Sequence, residues 1–239
     1  GDLPDTADAA NMVGDGEHDA LQLQNEERDL IKMAKANFGK VIVLINSSNP
    51  VEIGELTSGD LAVDAIMWIG GVGCNGSYGI ADLLVGNSNP SGGLVDTYAT
   101  NNHSAPAMMN YGDFKFSNAG DIQNSMGQSY IVEAEGVYIG YKYYESRYAD
   151  TVLGLGNADS TAGTYASQGG WNYADEVVYP FGYGLSYTTF SEELKSVEKT
   201  DDGVRATVTV TNTGDVAGKD NVQLYLQSPN TDYDKENLV

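Results

Sequence analysis

The amino-acid sequence predicts an α/β chain. It reads as a layered, mostly parallel sheet with helices on both faces, incomplete at its N-terminus, followed by the opening strands of a partial all-β sandwich. Three observations carry this. Two apolar runs, Lys40–Asn46 (KVIVLIN) and Ala62–Ile69 (interrupted only by Asp64), are too short for ordinary helices and read as strands buried on both faces. Helical patterning precedes the first run and follows both. After Phe190 the grammar changes, and VRATVTVTNTGD (Val204–Asp215) alternates apolar and polar residues at period two.

Residues 1–19 are polar, acidic and glycine-containing, which predicts an exposed loop. Glu17 sits there between Gly16 and His18 in a loop, a candidate general acid, although a solvated loop charge is the simpler reading. Leu21–Phe38 carries apolar residues on one helical face, with acids early and Lys32 and Lys35 late, the order the helix dipole favours, and Gly39 closes it. Lys40–Asn46 then empties into SSNPVEIGEL, where Pro50 suits the first turn of a helix capped by Asn49. The second strand empties into GGVGCNGSYG, and Ser77–Val85 follows as a short helix stopped by Gly86 and Asn87. In a parallel sheet both strand ends, Asn46–Asn49 and Gly70–Gly76, fall on one edge, where ligands bind.

From Thr97 to Gly127 the pattern dissolves into a long loop with one apolar island, HSAPAMMNYGDF. Ser129–Tyr148 is the densest aromatic stretch. Tyr138, Tyr141, Tyr143, Tyr144 and Tyr148 are suited to stacking on sugars, but at three- and four-residue spacing a helical packing face explains most of them. Asp150–Asp175 reads as a loop, and Tyr179–Phe190 (YPFGYGLSYTTF) as a rigid, snug connector. Val204–Asp215 and NVQLYLQSP (Asn221–Pro229) read as the antiparallel strands that begin the sandwich.

Composition excludes several functions. With 34 acids against 12 bases the net charge is −22, and Lys and Arg are too few and scattered to make a nucleic-acid footprint. Cys74 is the single cysteine and His18 and His103 the two histidines, which leaves no intrachain disulfide, cysteine-based zinc site or multi-histidine metal centre. Cys74 itself reads as a small buried thiol. No apolar run approaches the ~20 residues that span a bilayer. Absence of a starting Met suggests a fragment or processed piece.

Gly71, Gly73 and Gly76 spell GxGxxG between a strand and a helix, and Asp96 lies about 20 residues on, where a ribose-binding acid is sought. That pattern alone suggests a dinucleotide site. Yet it normally opens the first βαβ unit, and Asp96 follows a proline-glycine turn instead of ending a strand. A tight strand-to-helix turn is the better reading, with no cofactor-binding residue assigned.

KVIVLINSSNPVEI, the stretch Val63–Ala99, EGVYIGYKYYESRY, YPFGYGLSYTTF and VTVTNTGDVAGKDNVQLYL, in that order, resemble the C-terminal half of glycoside hydrolase family 3, the β-glucosidase type. ADLLVGNSNPSGGL together with PFGYGLSYTTF is the most specific part. The resemblance implies a C-terminal α/β sandwich domain over residues 1–178, a connector over 179–190, and a truncated fibronectin type III-like domain over 191–239. It implies a carbohydrate substrate, an N-terminal barrel domain of the same chain as partner, and no cofactor. It also implies retaining hydrolysis of terminal non-reducing β-linked sugars by two carboxylates about 5 Å apart. The nucleophile would lie in the barrel. The acid/base would lie just upstream of Gly1, with Glu17 as the fallback. The loop Gly70–Gly76 lacks the Pro-Gly and Gln or Glu common in the family, so its side chains are not carried over as substrate contacts. A non-catalytic carbohydrate-binding or surface module remains the alternative function.

Overall fold

A computed structural model describes residues 18–109, 114–123, 127–130, 132, 138–154 and 172–226. In chain order these form α1 (Asn25–Asn37), β1 (Ile42–Ile45), β2 (Ala65–Trp68), α2 (Ser77–Leu84), β3 (Tyr98–Ala99), α3 (Pro106–Met109), β4 (Phe114–Lys115), β5 (Ser129–Tyr130), α4 (Tyr141–Thr151), α5 (Tyr173–Glu176), β6 (Val177–Tyr179), β7 (Phe190–Thr200) and β8 (Gly203–Asn212). Helices and small two-stranded sheets alternate, and the described strands close no barrel. The described residues fall into two compact units, one drawn from Gly1–Gly70, Asp96–Pro180 and Leu226–Val239, the other from Gly71–Val95 and Phe181–Tyr225.

In the first unit β1 and β2 pair in parallel, Ile42 opposite Ala65 through Ile45 opposite Trp68. Parallel strands require a crossover, and the sequence predicts an α-helix there from Pro50. The chain instead makes two 3-10 turns, Gly54–Leu56 and Gly59–Leu61. Asn49 is not a helix cap, because its backbone N–H donates to the Ser47 hydroxyl, 3.1 Å, and so turns the chain before Pro50. The expectation of strands buried on both faces also fails. Ile45 is buried, while Ile42, Leu44 and Trp68 are exposed, since β1 and β2 have only each other as ladder neighbours among the described residues.

Helix α1 starts four residues later than its apolar pattern suggests. The backbone of residues 21–22 is committed elsewhere, the Leu21 carbonyl accepting from Glu52 N–H at 2.7 Å and Gln22 N–H donating to the Asp19 carbonyl at 2.9 Å. Glu27 then accepts the Gln24 N–H at 2.9 Å, closing the first turn. Glu26 and Glu27 lie in that turn and Lys35 in the last, as the dipole favours. Leu23, Ile31, Ile45, Ile53, Leu56 and Leu61 are buried.

A second part of this unit is built around Ala99, Tyr143 and Tyr144, with Ala105, Tyr173 and Val177 packed against them. Strand β3 pairs antiparallel with β6, and β4 with β5. Among the described residues of 97–127, short elements (β3, α3, β4 and two 3-10 turns) stand where the sequence reads as a loop. Thr97, Tyr98, Ala99 and Ser104 are buried: Tyr98 and Ala99 pair with β6, Thr97 N–H donates to the Asp96 side chain and Ser104 N–H to the Asn101 carbonyl.

In the second unit α2 ends as its sequence predicts. Asn87 N–H donates to the Asp82 carbonyl (2.8 Å) and Gly86 N–H to that of Leu83 (3.2 Å), around Gly86 at φ +79°. This is the Schellman arrangement. Beyond it, Leu94 exchanges backbone hydrogen bonds with Gly182 and Tyr183, 2.7 and 2.8 Å. The two segments approach so closely that a Cβ on Gly93 would lie 2.5 Å from the Gly182 carbonyl oxygen. Asn89 ties the same region together. Its Oδ1 accepts from Ser186 Oγ (2.9 Å) and Tyr187 N–H (2.7 Å), and its Nδ2 donates to the Ala217 carbonyl (3.0 Å). Strands β7 and β8 form an antiparallel hairpin around Asp201 and Asp202. The partner of the alternating strand is thus 190–200 and not Asn221–Pro229, of which the described part, 221–226, is not in a strand. Local pairing through a two-residue turn closes a far smaller loop than pairing across the NTGD turn followed by several irregular residues.

Candidate functional site

The parallel pair directs both carboxyl ends to one edge, and the segment that leaves β1, Ser47–Ile53, is where contacts converge. Ser47 Oγ donates to the Asn49 carbonyl at 2.8 Å, a local turn that holds the segment against the edge. From β2, Ile69 N–H continues the ladder to the Ile45 carbonyl at 2.9 Å, and Trp68 Nε1–H donates to the Ser47 carbonyl, also at 2.9 Å. Gly70 then turns away at φ +54°, where a Cβ would stand 3.1 Å from Trp68 Cζ2.

Glu52 clamps the other side. Its Oε1 accepts Asn102 N–H (2.7 Å), its Oε2 accepts Gln22 Nε2–H (3.1 Å), and Asn102 Nδ2 reaches the Pro50 carbonyl at 3.4 Å. Asn102 opens a 3-10 turn, Asn102–Ser104, capped by the Asn101 side chain accepting from His103 N–H at 2.8 Å. His103 Nε2 in turn stands 3.8 Å from Asp19 Oδ2. Both Glu52 oxygens are engaged in holding segments together, so this carboxylate positions the edge.

Behind the turn the polar groups are buried. Ser104 Oγ and Tyr144 Oη lie 2.6 Å apart. Burial pushes the Tyr144 phenol upward, opposed by the Ser104 hydrogen bond. Burial likewise pushes the Glu176 carboxyl up, again opposed by Ser104. Two other carboxyls are held low. Arg28 grips Glu55 with Nε to Oε2 at 3.0 Å and lowers it, chiefly by that hydrogen bonding, and Lys40 does the same to Asp64 at 2.7 Å.

Of the residues singled out in the sequence, Glu17 lies outside the described residues. Gly71, Gly73 and Gly76 form a closed turn. Gly76 N–H donates to the Val72 carbonyl at 3.1 Å, and a Cβ on Gly76 would overlap that oxygen, so the third glycine is explained by the turn's own backbone. Asp96 Oδ1 accepts its neighbour Thr97's N–H at 2.8 Å. Cys74 is exposed, contrary to the buried thiol expected, because it rides on this turn and not in a strand or helix face. Tyr143 and Tyr144 pack edge-on in the core, centroids 5.3 Å apart, and Tyr148 packs on Tyr173 at 4.7 Å, which makes these three rings packing groups. Among the described residues no group of three or more His, Cys, Asp or Glu is placed to hold a metal ion, and no helix is long and apolar enough to cross a membrane. Trp68, Glu52 and Asn102 were not legible as site residues. The available signal was Trp68 as the last strand residue of its apolar run; Glu52 and Asn102 are 50 residues apart and meet only in the fold.

Comparison with known proteins accords with this architecture. The model of the glycosyl hydrolase family 3 C-terminal domain matches residues 6–187. The chain is 32% identical to β-glucosidase A of Butyrivibrio fibrisolvens, over 94% of this chain and 24% of that protein. It is 32% identical to a β-glucosidase of Ruminococcus albus, over 87% and 18%. Among solved structures it is similar to a β-glucosidase from Paenibacillus barengoltzii (TM-score 0.59, 27% identity, 80% of this chain and 17% of that one). It is also similar to β-glucosidase 3B from Thermotoga neapolitana (TM-score 0.55, 30% identity, 81% and 22%). The chain thus spans about a quarter or less of the length of these relatives. With more than half its residues matched in register, it belongs to the glycosyl hydrolase family 3 C-terminal domain family.

Proposed function

We propose that this chain is the C-terminal portion of a retaining β-glycosidase, β-glucosidase-like, that hydrolyses terminal non-reducing β-linked sugars. The observation that carries the reading is the family match across residues 6–187, joined to relatives that are β-glucosidases. In this proposal residues 1–178 are the α/β sandwich domain, 179–190 the connector and 191–239 the start of a fibronectin type III-like domain. A barrel domain outside these residues supplies the nucleophile.

Retaining hydrolysis needs a second carboxyl that protonates the leaving oxygen and then activates water. In this reading it is delivered from the segment that leads into Asp19. Asp19 stands by His103, and Leu21 and Gln22 are bonded to Glu52, so the chain is fastened to the carboxyl edge of the parallel strands immediately after Glu17. The acid/base is then Glu17 or a glutamate upstream of Gly1. Neither role needs a cofactor, since carboxylates and water suffice.

The test is hydrolysis of an aryl β-glucoside by the full-length protein and by residues 1–239 alone. Turnover by the former and none by the latter is expected. Turnover by the 239 residues alone rejects the division of the two carboxyls. In the full-length protein Glu17→Gln separates the two acid/base positions. A loss of about 10²–10⁴-fold on substrates with poor leaving groups, and much less on good ones, assigns Glu17, while unchanged rates place the group upstream.

A further inference from the structure

We propose that Trp68 is a stacking platform for a pyranose ring of the substrate, an assignment that rests on the β-glycosidase reading above. The indole ends β2 at the carboxyl edge of the parallel pair, the edge at which open α/β sheets receive ligands. At this position a large aromatic ring is 36% exposed to solvent, and the neighbouring β1 end carries the polar residues Asn46, Ser48 and Asn49. An exposed aromatic ring beside hydroxyl and amide groups matches the chemistry of a sugar, which offers an apolar face of C–H groups and a rim of hydroxyls.

The ring is also held, which an incidental surface tryptophan is not. Its Nε1–H is bonded to the Ser47 carbonyl at 2.9 Å, and Ser47 is itself locked by the two-way bond to Asn49. Gly70 lies against the six-membered ring with no Cβ in the way, at a positive φ that suits glycine. A ring already fixed in orientation loses little freedom when a ligand lands on it, so more of the contact energy appears as affinity. The bond to Ser47 also spends the one polar group of the indole, so what the ring offers a ligand is its face. Because the Ser47 carbonyl belongs to the segment clamped by Glu52, the platform and the edge that carries Asp19 are parts of one bonded segment.

The experiment uses the full-length protein labelled with 5-fluorotryptophan. The Trp68 resonance is assigned by its loss in Trp68→Phe, and D-glucose is titrated to about 100 mM, with mannitol as the acyclic control. A saturable shift of the Trp68 signal with glucose and none with mannitol is expected. Calorimetry on the variants supplies the second readout. Trp68→Ala is expected to weaken glucose binding about tenfold, and Trp68→Phe, which keeps a ring and loses the bond to Ser47, by less than about threefold. A silent resonance, or wild-type affinity in Trp68→Ala, overturns the platform. Equal losses in the Phe and Ala variants also overturn it, because the bond to Ser47 and not the ring face would then be what matters. If Trp68→Ala does not fold, as read from its melting curve, the titration and the Phe variant decide. Turnover of an aryl β-glucoside by the same wild-type preparation keeps the two readings apart: an active protein with a silent Trp68 rejects the platform alone, and an inactive one rejects the β-glycosidase reading.

Discussion

Single side chains carry much of this fold because its sheets are small. Ser104 and Tyr144 are buried and share one 2.6 Å hydrogen bond between two elements that are 40 residues apart. Ser104→Ala leaves the Tyr144 hydroxyl with that bond unmade, and a cost of about 1–3 kcal/mol is expected in urea unfolding at unchanged m-value. Glu176, buried beside the same serine, has its carboxyl raised above the ordinary 4.5 by burial. A raised folded-state value means that the fold prefers the neutral form. Its contribution to stability is complete below pH 4.5 and is lost as pH rises through the folded-state value. Glu176→Gln keeps an acceptor for Ser104 and removes the charge. Its stability should therefore fall less than that of the wild type as pH is raised above 4.5, and a parallel fall in both proteins would remove Glu176 from the account. Glu55 works in the opposite sense. Arg28 lowers its carboxyl, so its stabilisation is present above the ordinary value and fades as acid titrates it.

At the scale of elements, two glycines test two different reasons for having no Cβ. Gly86 sits at φ +79° in the Schellman end of α2, and a Cβ there would meet nothing within 4 Å. Gly86→Ala should cost about 1–2 kcal/mol from the dihedral alone, and Gly86→Asn less, since Asn tolerates the left-handed region. Gly93 has no such strain, but its Cβ would lie 2.5 Å from the Gly182 carbonyl, backbone against backbone. Gly93→Ala and Gly93→Asn should therefore both be more damaging than Gly86→Ala in thermal melts. If the Asn and Ala variants of Gly86 melt alike, the conformational reason fails. The stop of α2 was legible because it is a local event of four or five residues. The start of α1 was not, because Leu21 and Gln22 are pulled out of the helix by Glu52, a residue from the far side of β1.

For the whole molecule the net charge of −22 sets the balance of long-range forces. Like charges at this density oppose compaction, while the ion pairs Lys40–Asp64 and Lys32–Asp29 are exposed and contribute little. Raising salt from about 0.01 to 0.5 M, which shortens the Debye length from about 30 Å to a few Å, should raise the melting temperature. A fall would mean that local ion pairs outweigh the overall repulsion. The same charge leaves a neutral sugar as a compatible ligand, in keeping with the β-glucosidases that the chain resembles.

The amino-acid order by itself determined the local events and the family. The strand residues Ile42–Ile45 and Ala65–Trp68, the stop of α2 at Gly86 and the packed faces of Tyr144 and Tyr148 follow from periodicity and glycine placement, which act within a few residues. Of the ordered segments from Lys40 to Leu226 that resemble family 3, those up to residue 187 fall within the match to the family model. Tertiary structure alone decided the rest. It replaced the Pro50 helix by two 3-10 turns, gave the alternating strand β8 the neighbour β7, exposed Cys74, and brought Trp68 to Ser47 and Glu52 to Asn102. The reason is physical. Helix stops and strand periods are settled by forces along the chain, whereas an edge lined from residues 19, 52, 68 and 102 exists only once backbone groups far apart in sequence have found each other to satisfy their hydrogen bonds.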